Sequence, residues 1–257
     1  MTMRLVASCL ALVFACSQTF AKEMPTDFQA VVDRAHAQFK DVKDGANADY
    51  IPILATVPSD MFGVVIVTRD GQVFSAGEMD YEFSIQSVSK PFTASLVMDQ
   101  QGPAAVREKI GVEPTGLPFN SKMALELYAA RSVNPLVNAG AIAAVSLVEA
   151  DSEEDRWNQI HANLNAYAGR ELPVLEEVYT SEYEESWSNR GIANLLYNYG
   201  RLYSDPEETL RVYTRQCSTG INTLDLGMMG ATLANQGVNP VSGKRVLDAA
   251  HIPELLA

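Results

Sequence analysis

Basic residues are scarce in this 257-residue chain: 19 lysines and arginines stand against 32 aspartates and glutamates, a formal net charge of −13. A surface of that sign repels a phosphate backbone, so nucleic acid is excluded as a partner. Histidine is thin as well. His36, His161 and His251 are the whole complement, and none adjoins a serine or cysteine, so a Ser-His-Asp machine has little to be built from. The three cysteines are Cys9, Cys16 and Cys217, without Cys-x-x-Cys or His-x-x-x-His spacing, and no metal centre is expected. Cys217 has no internal disulfide partner once an N-terminal leader is set aside, and it reads as a packed core thiol. No apolar run reaches the roughly 18 to 20 residues that a membrane-spanning helix needs. Internal repeats and low-complexity tracts are absent too. What remains is globular, with 47% hydrophobic and 20% charged residues, enough apolar material for one large core or two modest lobes.

Residues 1–21 differ from the rest. They carry one charge, Arg4, then an apolar stretch from Leu5 to Cys16, then Thr19-Phe20-Ala21 with small side chains three and one before a possible cut. This is the pattern of a secretory leader. It predicts a signal peptide over 1–21, a single domain over 22–257, and a periplasmic or secreted product, or a cytoplasmic one if the leader does not function. A buried N-terminal helix is the alternative; lipid attachment at Cys16 is disfavoured by the bulk of Phe14.

Residues 26–39 open on a Thr26/Gln29 capping-box pattern and place Phe28, Val31, Val32, Ala35 and Phe39 on one face, which predicts an amphipathic helix. Residues 62–68 are β-branched and nearly all apolar, and with 72–76 they predict a hairpin turning at Asp70-Gly71. From Ile85 onward the period is helical, over roughly 88–101, 141–149, 153–166, 190–203 and 222–236. Asn222 is placed to cap the last of these, with Asp225 in its first turn. Strands first and helices afterwards predict an α+β arrangement, a small antiparallel sheet packed on a helical body. Two strands make a marginal sheet, and a run as apolar as 62–67 belongs inside one, so a pairing partner is expected that this chain does not supply.

The most informative segment for chemistry is Gln86-Ser87-Val88-Ser89-Lys90, where Ser-x-x-Lys follows a strand and opens a helix. Positions three apart on a helix lie about 5 to 6 Å from one another, so the Lys90 amine is expected to reach the Ser87 hydroxyl. Burial would lower the lysine pKa and let it serve as base in place of histidine. Pro91 lacks an N–H and suits a first turn, which puts Ser87 at the positive helix end where an oxyanion is favoured. Ser-x-x-Lys alone is a weak signal, and a solvated helix start is its alternative. In a second constellation, Asn134-Pro135 and Asn138 bracket a turn leading into a small-residue helix; Asn134 reads as a turn former, whereas Asn138 beside an apolar run reads as functional. A third, Ser181-Glu182 with Asn189-Arg190, reads by itself as an acidic linker and an asparagine cap.

Taken together with Tyr50-Ile51-Pro52, Ala139-Gly140-Ala141-Ile142, Tyr213, Gln216-Cys217-Ser218 and residues 235–240, these blocks resemble the serine-dependent glutaminases. The resemblance runs from about Ala35 onward and implies the fold of the serine β-lactamases and DD-peptidases. It also implies hydrolysis of L-glutamine to L-glutamate and ammonia without a cofactor, in a homo-oligomer. Carried over by position, it implies Ser87 as nucleophile, Lys90 as proton acceptor, and Tyr50, Gln86, Asn138, Glu182, Asn189 and Tyr213 as substrate contacts. Glu182 suits the substrate ammonium, Asn138 and Asn189 its carboxylate or amide, and the two tyrosines the walls. Pro91 departs from the family's usual aliphatic residue. The chain also stops at Ala257, before the family's remaining tyrosine motif and Lys-Ser-Gly strand, so an incomplete site and sheet are expected, with low stability and weak turnover. Two other readings remain open: a penicillin-recognising acyl-transferase with Ser132-Val133-Asn134 as its second motif, and a glutamine-binding homologue without turnover.

Overall fold

The computed structural model describes residues 27–127 and 132–257. The leader expected over 1–21 and the Thr26 cap lie outside them. Helix α1 (Phe28–Phe39) is capped by Asp27, whose carboxylate accepts from the Ala30 N–H at 3.0 Å. The predicted hairpin follows, with β1 (Gly63–Val67) antiparallel to β2 (Val73–Gly77) and the Thr68 N–H closing the turn on Gln72 O. Next come β3 (Phe83–Ser84), a single 3₁₀ turn (Gln86–Ser89), α2 (Lys90–Gln101), α3 (Pro103–Lys109), α4 (Met123–Leu127) and α5 (Asn138–Leu147). The remaining elements are α6 (Glu153–Ala168), α7 (Glu176–Glu184), α8 (Trp187–Asn198), α9 (Pro206–Cys217), β4 (Gly220–Ile221), α10 (Thr223–Ala234) and α11 (Ile252–Leu256).

The β1–β2 ribbon is held on both faces. In an antiparallel pair, directly opposed residues share a face, so Ile66 and Phe74 look one way while Val65, Val67 and Ser75 look the other. Phe74 meets Phe28 of α1 with ring centroids 5.4 Å apart. On the opposite face α10 lies directly against β1: a Cβ on its Gly227 would sit 2.8 Å from methyls of both Val65 and Val67, so glycine sets the helix-to-strand distance. The expected Asn222 cap begins α10 and is reciprocated as a capping box, with the Asn222 side chain accepting from Asp225 N and the Asp225 carboxylate accepting from Asn222 N. Among the described residues β1 and β2 pair only with each other.

Helix α5 is the axis of the helical body. All ten of its residues are buried, and α2, α8 and α9 pack around it. Its small side chains permit that approach, and Gly140 is the extreme case. A Cβ there would fall 1.8 Å from the Asn134 carbonyl oxygen. Helix α6 packs outside α2, α9 and α10; it starts on a Ser152 cap with three acids in its first turn and stops at Gly169, whose φ is +79°.

Several helices differ from the sequence expectation. The helix expected over 88–101 is a 3₁₀ turn followed by α2, the one expected at 141 begins at Asn138, and the one expected over 190–203 is α8, shifted toward the N-terminus. Helices α7 and α9 were not foreseen. The supposed acidic linker around Glu182 is α7, and Asn189 lies inside the first turn of α8 instead of capping it.

Candidate active site

The short strand β3 delivers the chain into the Ser87 turn. It pairs with β4, Phe83 opposite Ile221 and Ser84 opposite Gly220, and Ile85 N donates to Thr219 O at 2.8 Å. The same 218–220 segment is tied from its other side to Pro173 and Leu175. Gln86 then adopts φ +48°, the left-handed region that non-glycine residues avoid, at a cost of about 1 to 2 kcal/mol. This backbone reversal turns Ser87 outward, where it is exposed, while Ser89 and Lys90 are buried below it. Pro91 falls in the first turn of α2, as expected.

A cleft of about 250 Å³ opens beside the turn and brings together seven of the eight expected residues: Tyr50, Gln86, Ser87, Asn138, Glu182, Asn189 and Tyr213. Lys90 lies just behind its wall. Its Nζ donates to Asn138 Oδ1 at 2.8 Å and sits 5.8 Å from the centre of the Phe119 ring. The expected contact between Lys90 and Ser87 is not formed in this conformation, and the Ser87 hydroxyl has no hydrogen-bond partner among the described residues. Asn138, in the first turn of α5, passes the linkage on by donating from Nδ2 to Asn189 Oδ1 at 3.0 Å. Gln86 spans the cleft: Nε2 donates to Glu182 Oε2 and to Ser84 Oγ, both at 3.2 Å, while Oε1 accepts from the Tyr50 hydroxyl at 3.4 Å.

Burial dominates the electrostatics. It lowers the Lys90 pKa from the ordinary lysine value, against the opposing pull of Cys217 and Glu182, and so favours the neutral amine. It raises Glu182 to about 7, although the Gln86 hydrogen bond and the Lys90 charge act the other way. Burial also pushes the Tyr213 hydroxyl and the Cys217 thiol well above their usual values, so both are neutral donors at physiological pH. Among the described residues no group of His, Cys, Asp and Glu could hold a metal ion, and no helix is long and apolar enough to cross a membrane.

Some lining residues carried no sequence signal. Phe119 and Asn120 come from an irregular loop, and Glu185, Ser186 and Ser188 from the α7–α8 corner. Cys217, taken for a core thiol, is buried but forms part of the wall. Asn134, by contrast, is the turn former it seemed to be. Its Oδ1 accepts from Leu136 N and Val137 N, its Nδ2 donates to Glu113 O, and neither it nor Ser132 lines the cleft. The second motif of the penicillin-recognising alternative is therefore not assembled at Ser87.

Comparison with known proteins establishes the family. The family model described as Glutaminase matches residues 45–257. A glutaminase of Brucella canis is 52% identical over 229 residues, covering 89% of this chain and 72% of that protein. One from Mycobacterium ulcerans is also 52% identical over 229 residues, covering 89% and 71%. A solved structure described as probable glutaminase ybaS superposes with a TM-score of 0.88 at 49% identity, covering 91% of this chain and 75% of the other. A crystal structure of Mglu in its glutamate form does so with a TM-score of 0.84 at 34% identity, covering 91% and 54%. By sequence over most of its length and by fold, this chain belongs to the glutaminase family.

Proposed function

We propose that this chain hydrolyses L-glutamine to L-glutamate and ammonia, with Ser87 as nucleophile and Lys90 as proton carrier. The observation that carries the reading is one small cleft in which an exposed serine hydroxyl, a buried carboxylate and two linked amides converge, with a buried lysine directly behind. A neutral lysine amine keeps two protons and one lone pair. One N–H is engaged by Asn138 Oδ1, which leaves the lone pair to accept the Ser87 proton.

The Ser87 oxygen bonds to the side-chain carboxamide carbon as its proton passes to Lys90. Lys90 returns that proton to the amide nitrogen, the carbon–nitrogen bond breaks, and ammonia leaves a glutamyl ester on Ser87. Water then gives a proton to Lys90 and adds to the ester, and the Ser87 oxygen recovers the proton as glutamate departs. The α-ammonium of the substrate pairs with ionised Glu182 in place of the Gln86 amide. Asn138 and Asn189 take the carboxylate or orient the amide, while Tyr50 and Tyr213 close the walls. That Mglu is known in a glutamate form supports a site shaped for a glutamyl group.

The test is ammonia release from glutamine by the purified chain, with Ser87→Ala beside it. Loss of the hydroxyl is expected to lower kcat by about 10³-fold or more. Turnover surviving in Ser87→Ala would remove the serine mechanism. Export directed by residues 1–21 and assembly into a homo-oligomer belong to the same reading; N-terminal sequencing of a secreted product, expected to begin at Lys22, and the mass in solution check them.

A further inference from the structure

Below the Ser87 turn lies a chain of side-chain hydrogen bonds that meets the cleft wall at the Cys217 thiol beside Ser89. Gln216, in the last turn of α9, is fully buried and does not line the cavity. Its Oε1 accepts from the Thr93 hydroxyl of α2 at 2.6 Å, and its Nε2 donates to Ser89 Oγ at 2.9 Å. Ser89, also fully buried, donates its single proton to the backbone carbonyl of Gln86 at 2.6 Å. The donor directions are fixed from the carbonyl end. Because the Gln86 carbonyl oxygen can only accept, Ser89 gives it its one proton and accepts from Gln216 Nε2, which leaves Gln216 Oε1 to accept from Thr93.

The recipient is the peptide unit between the left-handed Gln86 and Ser87. That unit is planar and trans, so a Gln86 carbonyl drawn down toward Ser89 turns the Ser87 N–H to the opposite side, away from the core. The left-handed backbone at Gln86 is unfavourable by itself and persists only where its surroundings hold it. Ser89 supplies that hold from below, while Tyr50, Ser84 and Glu182 secure only the Gln86 side chain from above.

We propose that Gln216 is a positioning residue: through Ser89 it locks the Gln86–Ser87 peptide so that the nucleophile and its N–H face the substrate. This inference rests on the serine mechanism proposed above. It concerns placement of the reacting atom and not affinity, because Gln216 touches no lining surface of its own.

The experiment compares Gln216→Met, Ser89→Ala and the double variant in the full chain, with Ser87→Ala alongside. Competent sites are counted by covalent labelling of Ser87 with a glutamine analogue bearing an electrophile at the side-chain end, and folding by circular dichroism. Per labelled site, each single variant is expected to lose about 10- to 100-fold in kcat, with KM within about threefold of the parent. The double variant is expected to be no worse than the poorer single, as for two members of one linkage. Unchanged kcat per labelled site, a loss accounted for by fewer labelled sites, or single effects that multiply would each overturn the proposal. If Gln216→Met fails to fold, Thr93→Val with Ser89→Ala forms the same cycle and is judged in the same way. Turnover surviving in Ser87→Ala would remove the serine mechanism itself, whereas an inactive Ser87→Ala beside a fully active Gln216→Met would remove only the positioning role.

Discussion

Replacing Glu182 by glutamine is expected to make the free protein more stable at neutral pH and a poorer enzyme. In the folded chain this carboxyl titrates at about 7, against 4.5 for an ordinary glutamate. Between those values the native state holds more protons than the unfolded chain, so stability falls as pH rises through the window. The gap between 4.5 and about 7 corresponds to about 3 kcal/mol, fully expressed above the folded value. Glutamine cannot ionise, has nearly the same shape, and still accepts from Gln86 through its own oxygen. Glu182→Gln should therefore raise Tm by about 6 to 12 °C at about pH 8 and change it little at about pH 4.5, where glutamate is itself half protonated or more. Thermal unfolding by circular dichroism in the absence of substrate reads this directly. A Tm difference independent of pH, or a variant less stable at pH 8, would refute the account of Glu182 as a carboxylate held against its preference. The same substitution leaves the substrate ammonium without its counter-charge, and kcat/KM should drop by about 100-fold or more. In the parent, KM should rise about tenfold for each pH unit below about 7, and in the variant this dependence should disappear. Because the Glu182 charge raises the Lys90 pKa, its removal should also move the Lys90 limb of the kcat profile to lower pH.

Two further substitutions probe the neighbouring structure. Asn138→Leu removes the acceptor of Lys90 Nζ and the donor to Asn189, and kcat/KM measured by ammonia release should fall by roughly 10- to 100-fold. A change below twofold would show that Lys90 needs no such partner. Gly140→Ala drives a methyl group onto the Asn134 carbonyl and should cost about 3 kcal/mol in urea unfolding, with the denaturant slope unchanged; a neutral result would mean that the turn yields freely.

The parts of the fold that local physics decides were legible in the sequence. The β1–β2 hairpin announces itself by β-branched residues flanking Asp70-Gly71, and α10 by Asn222 and Asp225. Helix α7 was not legible, for an instructive reason. Its inward stripe contains Val178 and Glu182, both buried, so a functional carboxylate occupies the position at which an apolar residue would have revealed an amphipathic helix. The start of α9 carried a sufficient signal, an Asp205 cap followed by Pro206 and two glutamates, which reads equally well as a loop when taken alone. Within the site, the Ser87 turn and most of its companions could be named from sequence blocks. The hydrogen bond from Lys90 to Asn138 could not, because it joins helices whose proximity is decided by packing around α5. The left-handed Gln86 was equally hidden, since no residue preference marks a glutamine for that backbone.

Helix α5 has no side facing water, and Asn138 stands in its first turn. The floor of the cleft is thus continuous with the tightest part of the interior, and a change of side-chain volume anywhere along that helix would be felt where the amide meets Lys90. The rim at the α7–α8 corner is looser, with Glu185 exposed and Ser188 half-buried. Variation in which amide substrate is accepted, whether natural or engineered, should accumulate on that rim while the floor stays as it is.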